Sequence, residues 1–182
     1  MKKSIVFFLF VVFIISQTEA QEDENELAGR NELKLNAFNL IAFTFVDASY
    51  ETLLNEESSF GVGVLFNIGS EDEILDEIRN FSITPYYRQY FSKQYAKGFF
   101  VEGFGMINSG KQLDFYEDFE MTMAVEGESY TDFALGISVG GKFVTPRGFV
   151  VEIYSGLGRN LLGSEFAPDI VSRGGVSLGY RF

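Results

Sequence analysis

The sequence predicts an all-β fold, an eight-stranded antiparallel up-and-down transmembrane β-barrel. Three observations support this prediction. Apolar residues alternate with small or polar residues in eight segments, and the connections between segments are mostly short and long in turn. Gly, Phe and Tyr are also abundant, at 19, 21 and 9 residues. Aromatic residues favour the pleated surface of a strand, and glycine serves tight turns and close packing.

The N-terminal residues precede the predicted barrel and have a different character. Lys2 and Lys3 are followed by an apolar run from Ile5 to Ile15 and then by Thr18-Glu19-Ala20. A basic start, a short apolar core and small residues at the −3 and −1 positions are typical of a cleaved secretory signal. An uncleaved anchor is the alternative, although the run is short for a bilayer span. We expect a signal peptide over residues 1–20, a flexible acidic segment over residues 21–31 and an outer-membrane β-barrel domain over residues 32–182.

Eight segments after residue 31 have the period-two alternation of strands. Each has about the ~9–11 residues that a tilted membrane strand needs. Because no second long apolar run follows the N-terminal one, a mature chain that enters a membrane must do so as a closed barrel. The segments span residues 32–41, 45–54, 59–69, 81–92, 98–108, 130–143, 147–158 and 172–182.

The third, sixth, seventh and eighth segments alternate most clearly. In the third, Phe60 to Ile68 places aromatic and branched residues opposite Gly61, Gly63 and Asn67. The sixth, seventh and eighth segments repeat this pattern, with Gly, Ala, Ser and isolated charges on the polar face. Small residues suit the narrow lumen of an eight-stranded barrel, whereas a water-exposed face rarely gains from glycine. We therefore expect the apolar face outside and the polar face inside.

The fourth and fifth segments are less regular. Pro85 lies within the fourth segment, and proline donates no ladder hydrogen bond, so we expect a bulge there. In the fifth segment, Phe100, Phe104 and Met106 share a face with Glu102. Either a bulge or apolar filling of the lumen would explain this mixed face.

The connections predict the two ends of the barrel. Short links lie after the second, fourth and sixth segments, and longer links follow the third, fifth and seventh, as in outer-membrane barrels. The first link, 42–44, belongs to the long side yet is short. The longest link, Ser109–Ser129, is expected to be a loop or an extension of its two strands. Glu71–Ile78 has the apolar spacing of one helical turn.

The inner face is predicted to carry as many basic as acidic residues. Buried charges must be paired, although the whole chain has a net charge of −12. We favour a salt-bridged plug over an ion path or a catalytic pair such as Glu102 with Glu152, because eight strands leave little room beyond side chains. The predicted lumen charge network is Lys34, Asp47, Glu51, Arg88, Glu102, Asp132, Lys142, Glu152, Arg173 and Arg181.

The C-terminus has a pattern with a known counterpart. Val176, Leu178, Tyr180 and Phe182 alternate with small and basic residues up to the last position. This pattern resembles the terminal-strand signal of bacterial outer-membrane barrel proteins, and the resemblance implies recognition by the barrel-assembly machinery. The chain from about Glu32 to Phe182 also resembles the small OmpA/OmpX-type barrels. The layout of Arg88–Phe91 and Gly98–Gly105 is further similar to a barrel family of unknown function.

Composition excludes several functions. Acidic character argues against nucleic acid as a partner. The chain has neither Cys nor His, so disulfides, thiolate metal sites and the usual general base are absent. Gly-x-Ser-x-Gly occurs at residues 136–140 and 175–179, but inside two predicted strand segments and not at the strand-to-helix turn of a nucleophile elbow. No calcium loop or dinucleotide motif is present. We expect no catalytic residues, no metal and no cofactor. Aromatic residues near strand ends predict an interfacial girdle. They include Tyr86, Tyr87, Tyr90, Phe91, Tyr95, Phe99, Phe143, Tyr180 and Phe182.

These observations favour a non-enzymatic, monomeric outer-membrane protein with a plugged lumen. Its expected partners are outer-membrane lipid, the assembly machinery and a surface or extracellular partner of its acidic loops, such as Glu71–Ile78. Two alternatives belong to other classes. One is a lipid-active outer-membrane enzyme, and the other is a soluble periplasmic, lipocalin-like barrel that binds an apolar ligand.

Overall fold

The computed structural model describes residues 29–69, 79–92, 95–118, 121–164 and 167–182, with side chains described outside 112–128. The predicted signal peptide, most of the acidic segment after it and the predicted turn at Glu71–Ile78 lie outside the described residues. The elements are β1 (Asn31–Asn36), α1 (Ala37–Phe43), β2 (Phe45–Leu53), β3 (Ser58–Asn67), β4 (Phe81–Tyr90), β5 (Gly98–Asp118), β6 (Met121–Val144), β7 (Phe149–Asn160) and β8 (Ile170–Arg181).

The eight strands form one closed antiparallel barrel in sequence order, which confirms the predicted architecture. Closure occurs between β1 and β8, where Glu32 pairs with Arg181 and Leu35 with Leu178. Beyond this seam, the amide of Phe182 donates to the carbonyl of Asn31 at 2.8 Å. A closed barrel leaves no free sheet edge along its wall. Within the described residues, no helix has the length and apolar character needed to cross a bilayer.

The two ends of the barrel differ. The turn end has the connections 54–57, 91–97 and 145–148 together with Gly29 and Phe182, and the loop end has α1 and the connections 68–80 and 161–169. Gly148 has a φ of 84°, which glycine adopts without strain, in the last of the short turns. The position of a residue along its strand therefore shows whether its side chain lies near the turn end or the loop end of the barrel.

The first strand is shorter than predicted. Residues 37–41 were expected to continue the strand from 32, but β1 ends at Asn36 and α1 follows. The Asn36 side chain accepts a hydrogen bond from the amide of Asn39 at 3.1 Å, which satisfies a free donor at the helix start. Thr44 ends the helix in the left-handed conformation, with a φ of 57°. This side-chain cap stabilises the start of a helix in an apolar run that the sequence pattern predicted to be a strand.

The fourth and fifth strands keep a regular register. The predicted bulge at Pro85 is wrong: β4 pairs with β5 on both sides of Thr84 and Pro85 in one unchanged register. Pro85 still pairs with Val62 of β3 on its other side. On β5, Phe100, Phe104 and Met106 are buried at 0 to 3 % exposure, so apolar filling of the lumen accounts for the mixed face.

The β5–β6 hairpin is much longer than the two predicted segments. The strands contain 21 and 24 residues, and most of the link expected over Ser109–Ser129 is ladder. β4 pairs with β5 only as far as Ser109, and β7 pairs with β6 from Ala134. The hairpin therefore extends past its neighbours at the loop end, as one of the two sequence-based alternatives expected.

Polarity is inverted relative to a water-soluble barrel. Most charged side chains of the described wall point into the lumen, whereas large apolar side chains point outward. Those with the highest exposure on the strands include Ile137 at 66 %, Leu157 at 64 %, Phe143 at 60 %, and Leu33 and Ile153 at 56 % each.

Candidate functional site

The turn-end half of the lumen contains a connected set of buried ion pairs, which we call the lumen ion cluster. Its members come from the turn-end portions of seven strands, and each is at most 3 % exposed. Four are acidic and four are basic, so the cluster is neutral. The members are Glu32, Lys34, Glu51, Arg88, Glu102, Lys142, Glu152 and Arg181.

Arg88 is the hub of the lumen ion cluster. Its Nε donates to Glu102 at 2.6 Å. Its Nη1 donates to Glu51 at 2.9 Å, and its two Nη atoms grip Glu152 at 2.6 and 2.8 Å. The guanidinium carbon lies 4.3 Å from the ring centre of Phe100. A planar five-donor fork suits this position better than an ammonium group, since it binds several carboxylates at once.

The two lysines of the cluster bridge the remaining carboxylates. Lys34 pairs with Glu51 and, at 2.9 Å, with Glu152. Lys142 pairs with Glu51 and, at 2.7 Å, with Glu32. Every carboxylate of the cluster thus has at least one cation within hydrogen-bond distance, which is the condition under which buried charges are tolerated.

Glu32 and Arg181 close the turn end of the lumen. Arg181 Nε donates to Glu32 at 2.8 Å, and its Nη atoms donate to the carbonyls of Tyr95 and Ala96 at 3.2 and 2.9 Å. Ala96 is fully buried, and its amide donates to the carbonyl of Glu56 at 2.7 Å. Tyr95 and Ala96 therefore lie beneath the lumen and are held there by the last strand.

Aromatic side chains pack around the cluster inside the barrel. The hydroxyl groups of Tyr86 and Tyr90 donate to Glu51 at 3.3 and 2.7 Å. These two residues are 2 % exposed, so the prediction that they belong to an outer girdle is wrong. A Cβ on Gly61 would overlap the ring of Tyr86. The small residues of the inner face therefore make room for large partners across the lumen, as the sequence pattern predicted.

The loop-end half of the lumen is not filled. A cavity of about 480 Å³ lies above the lumen ion cluster, beneath α1 and the start of β8. Its walls are mainly apolar, with aromatic residues from α1 and β2 at the mouth: Phe38, Phe43 and Phe45. The plug expected from sequence thus occupies one half of the barrel, and the other half has a volume within the range of ligand pockets.

Two arginines line this cavity with incompletely used donors. Within the described part of the chain, Arg79 Nε and Arg173 Nη1 are buried without a hydrogen-bond partner. Arg79 Nη1 donates to the carbonyl of Ser172 at 3.0 Å. Arg173 lies 4.7 Å from the ring centre of Tyr86, with Glu102 as an ionic neighbour at 3.6 Å. Burial lowers the pKa of the Arg79 guanidinium, because the charged form loses hydration.

One acidic side chain lines the cavity beside these arginines. Asp47 accepts hydrogen bonds from the side-chain amides of Asn36 and Asn39 at 3.0 and 2.7 Å. These contacts fix the carboxylate against the start of α1. Asn108, which also lines the cavity, is fully buried, and its Oδ1 has no hydrogen-bond partner among the described residues.

The structure brings seven of the ten predicted lumen charges into the cluster and separates three from it. Asp47 and Arg173 line the cavity. Asp132 is buried at the loop end, where it accepts from the amides of Leu162 and Ser164 at 2.9 and 3.1 Å. Glu32 was missed, although it shares a strand face with Lys34 in the sequence. Among the described residues, no group of three acidic side chains is arranged to hold a metal ion.

The predicted assembly signal lies on β8 and at the residue after it. Leu178, Tyr180 and Phe182 are exposed at 42, 54 and 54 %, and Val176 is half-buried. All four share the outward face of the last strand. Nothing in the barrel itself requires a terminal Phe, so its recognition by an assembly factor stays a prediction.

Comparison with known proteins gives one match. A family model described as "Protein of unknown function (DUF3575)" matches residues 5–165. Neither a curated protein nor a solved structure matches the chain.

Proposed function

Because the chain belongs to the DUF3575 family, whose function is unknown, we propose a function from the barrel itself. The protein is an integral barrel of a bacterial outer membrane, similar in design to the OmpA/OmpX-type barrels. It is exported by its N-terminal signal and acts without catalysis as a membrane and surface element. The observation that carries this proposal is the inverted polarity, with a neutral ionic lumen inside an apolar wall.

The apolar outer wall supports a lipid environment. Soluble monomers rarely expose contiguous apolar patches of more than a few hundred Å², yet apolar side chains cover the outward face of every strand. Aromatic residues are concentrated at the turn end of this face, as expected for a girdle at a membrane–water interface. This outer set comprises Tyr50, Phe60, Tyr87, Phe91, Phe99, Phe143, Phe149, Tyr180 and Phe182, at 45 to 64 % exposure.

Strand length also agrees with a bilayer. β2, β3, β4, β7 and β8 contain 9, 10, 10, 12 and 12 residues. Tilted strands of about ~9–11 residues cross the hydrocarbon layer. The end of the barrel with the short turns, the start of β1 and the end of β8 matches the periplasmic side of such barrels. The end with the longer loops matches the extracellular side.

The two alternatives are less consistent with the lumen. A lipocalin-like carrier of an apolar ligand needs an apolar interior, but half of this lumen is an ion cluster. A lipid-active enzyme needs a carboxylate that is free to act as a base, but Glu102 and Glu152 are buried and paired with Arg88. The closed turn end also argues against a solute channel. We therefore retain a non-enzymatic, plugged barrel that acts as a monomer.

The first experiment is gel mobility with and without heating. A folded outer-membrane barrel stays closed in unheated detergent and migrates differently from the boiled chain. We expect two mobilities for the membrane fraction and retention of the protein after carbonate extraction. Recovery in the soluble fraction with a single mobility would contradict the proposal.

A pair of substitutions tests lipid contact directly. Ile137 is 66 % exposed and lies midway along the stretch of β6, residues 131–142, that pairs with residues 98–109 of β5. Ile170 is 64 % exposed and lies at the loop-end start of β8. A lysine on the lipid face costs about 2–4 kcal/mol at the bilayer midplane and about 0–1 kcal/mol near the interface. Ile137→Lys should therefore destabilise the barrel in lipid vesicles much more than Ile170→Lys. Equal, small effects would indicate that water surrounds the wall.

The long β5–β6 hairpin favours a second role at the surface. It projects past the neighbouring strands at the loop end, and the sequence of this region is rich in acidic residues. We propose that it and the acidic link after β3 contact an extracellular partner. Deleting residues 111–128 should abolish that contact in a cell-adhesion or partner-binding assay while leaving the gel mobility shift intact. Unchanged binding would remove these segments as the active surface.

A further inference from the structure

We propose that the loop-end cavity is a binding site for a small amphiphilic anion, a molecule with one carboxylate or phosphate group on a compact apolar body. The site is formed between Arg79, Arg173 and the aromatic residues at the mouth. It is distinct from the lumen ion cluster, which forms its floor. The inference does not depend on membrane location, because a soluble barrel with this lumen would have the same cavity.

The two arginines specify the anionic group. Arg79 Nε and Arg173 Nη1 are buried N–H donors without a hydrogen-bond partner among the described residues, and a buried donor left unpaired is unfavourable. Arg173 Nη1 lies 3.6 Å from a Glu102 oxygen, which is beyond a normal hydrogen bond. A carboxylate or phosphate oxygen would satisfy donors of both guanidinium groups, since these groups match planar or tetrahedral oxyanions.

The charge around the cavity favours an anion over a cation. Among the described residues that line the cavity, two arginines face one carboxylate, and that carboxylate, on Asp47, already accepts two amide hydrogen bonds. The lumen ion cluster below is neutral by itself. A cationic ligand would therefore meet two guanidinium groups without a free acidic partner.

The apolar walls specify the rest of the ligand. Phe38 and Phe43 on α1 lie with their ring centres 5.6 Å apart in an edge-to-face arrangement, and Phe43 lies 6.0 Å from Phe45. Leu65 and Val171 continue this surface inward at 5 % exposure each. An inorganic anion would leave these walls in contact with water, whereas an aryl or short alkyl body would cover them.

The volume and the closed floor set the size and the direction of entry. The cavity holds about 480 Å³, which lies within the range of about 300–1,000 Å³ for small-molecule sites. Because the ion cluster, Tyr95 and Ala96 block the turn end, the ligand must enter from the loop end, past α1.

The test uses the full mature chain, refolded in detergent micelles or in nanodiscs, and calorimetric titration. The probe is 4-phenylbutyrate. The comparators are 4-phenylbutan-1-ol, which keeps the apolar body without the charge, and acetate and inorganic phosphate, which keep the charge without the body. We expect 4-phenylbutyrate to bind at least about tenfold more tightly than each comparator, because a charge-assisted hydrogen bond is lost with the alcohol. Empty micelles or nanodiscs measure partition alone.

Two variants locate the binding in the cavity. Arg79→Gln removes one guanidinium and should weaken 4-phenylbutyrate binding at least about tenfold. Its control is Arg147→Gln, which removes the same charge from an exposed turn at the opposite end.

Gly63→Leu should fill the cavity and abolish binding. A Cβ at this position would lie 3.6 Å from its nearest neighbouring atom, an ordinary van der Waals contact, so the backbone can accept the side chain. Its control is Gly103→Leu on the outer face, where nothing lies within 4 Å.

The outcomes separate cleanly. Tighter binding of the acid, lost in Arg79→Gln and Gly63→Leu and kept in both controls, supports the site. Equal binding of the acid and the alcohol, equal binding of inorganic phosphate, or unchanged binding in Gly63→Leu would overturn it. Absence of binding in the wild-type chain would also overturn it. The gel mobility shift is scored for every variant, so failure to fold is distinguished from loss of the site. Carbonate extraction of the wild-type chain tests the membrane proposal separately.

Discussion

Replacing Arg88 by methionine tests whether the lumen ion cluster holds the barrel together. Methionine keeps a long, flexible apolar side chain and removes the guanidinium. Of the three carboxylates that Arg88 binds, Glu51 and Glu152 keep lysine partners after the change. Glu102 keeps only the Ser138 hydroxyl at 3.0 Å and Arg173 at 3.6 Å. Glu102 thus becomes the buried charge with the weakest compensation.

The expected loss follows from this count of partners. Removing one partner of a buried ion pair costs about 3–5 kcal/mol, because the remaining charge is left uncompensated. Replacing Glu102 by glutamine in the same chain restores neutrality, so the double variant should recover at least about 1.5 kcal/mol, the worth of a hydrogen bond to a charged group. The single Glu102→Gln variant should lose less than Arg88→Met, since Arg88 keeps two carboxylates.

Urea unfolding of the refolded barrel measures these differences. The chain has no Trp, so far-ultraviolet circular dichroism and the unheated gel band serve as probes. With a slope of about 2 kcal/mol per M urea, Arg88→Met should lower the midpoint by about 1.5–2.5 M. Arg147→Met, on an exposed turn, is the control and should change it little. A shift below about 0.5 M, or a double variant no more stable than Arg88→Met, would refute the reasoning.

Three further predictions concern single contacts. Gly61→Ala should destabilise the barrel by about 1–3 kcal/mol, because its Cβ would overlap the ring of Tyr86, whereas Gly103→Ala on the open outer face should be nearly neutral in the same urea assay. Phe182→Ala should lower the folded amount in membranes of expressing cells but leave refolding in detergent unchanged; equal losses in both would point to stability instead of recognition. The Asp132 carboxylate accepts hydrogen bonds from the backbone amides of Leu162 and Ser164. Asp132→Asn should therefore speed hydrogen exchange of these two amides; unchanged exchange would show that the carboxylate does not order the connection after β7.

The barrel architecture could be predicted from the sequence because apolar residues alternate with small or polar residues along the strands, and this alternation distinguishes the outward face from the lumen face. Neighbouring residues such as Phe60 and Gly61 differ in size because they lie on opposite faces of the wall. In the structure, Phe60 and Leu178 point outward, and Gly61 and Gly179 face the lumen. Glu32 was within reach of the same argument, since it stands two positions before Lys34 on one face.

Other features depend on contacts that alternation does not encode. The run from Ala37 to Phe43 is apolar on both faces, so a buried strand and a short helix are equally compatible with it. The Asn36 cap decides between them. Likewise, the positions of Tyr86 and Tyr90 near a strand end are typical of an outer girdle. Their burial in the lumen depends on the space that small residues on other strands leave there. The cavity depends on where large inner side chains stop, which is a property of the assembled barrel.

The origin of the lumen ion cluster on seven different strands bears on how the barrel opens. Each strand except β3 contributes at least one charge, so detaching any of these seven strands would break ion pairs and leave buried charges without their partners. Partial opening between β1 and β8, for example, would separate Glu32 from Arg181. Intermediates with a single seam open are therefore disfavoured, and we expect unfolding to be all-or-none and slow. An incompletely closed sheet would carry unpaired charges that the finished barrel does not have.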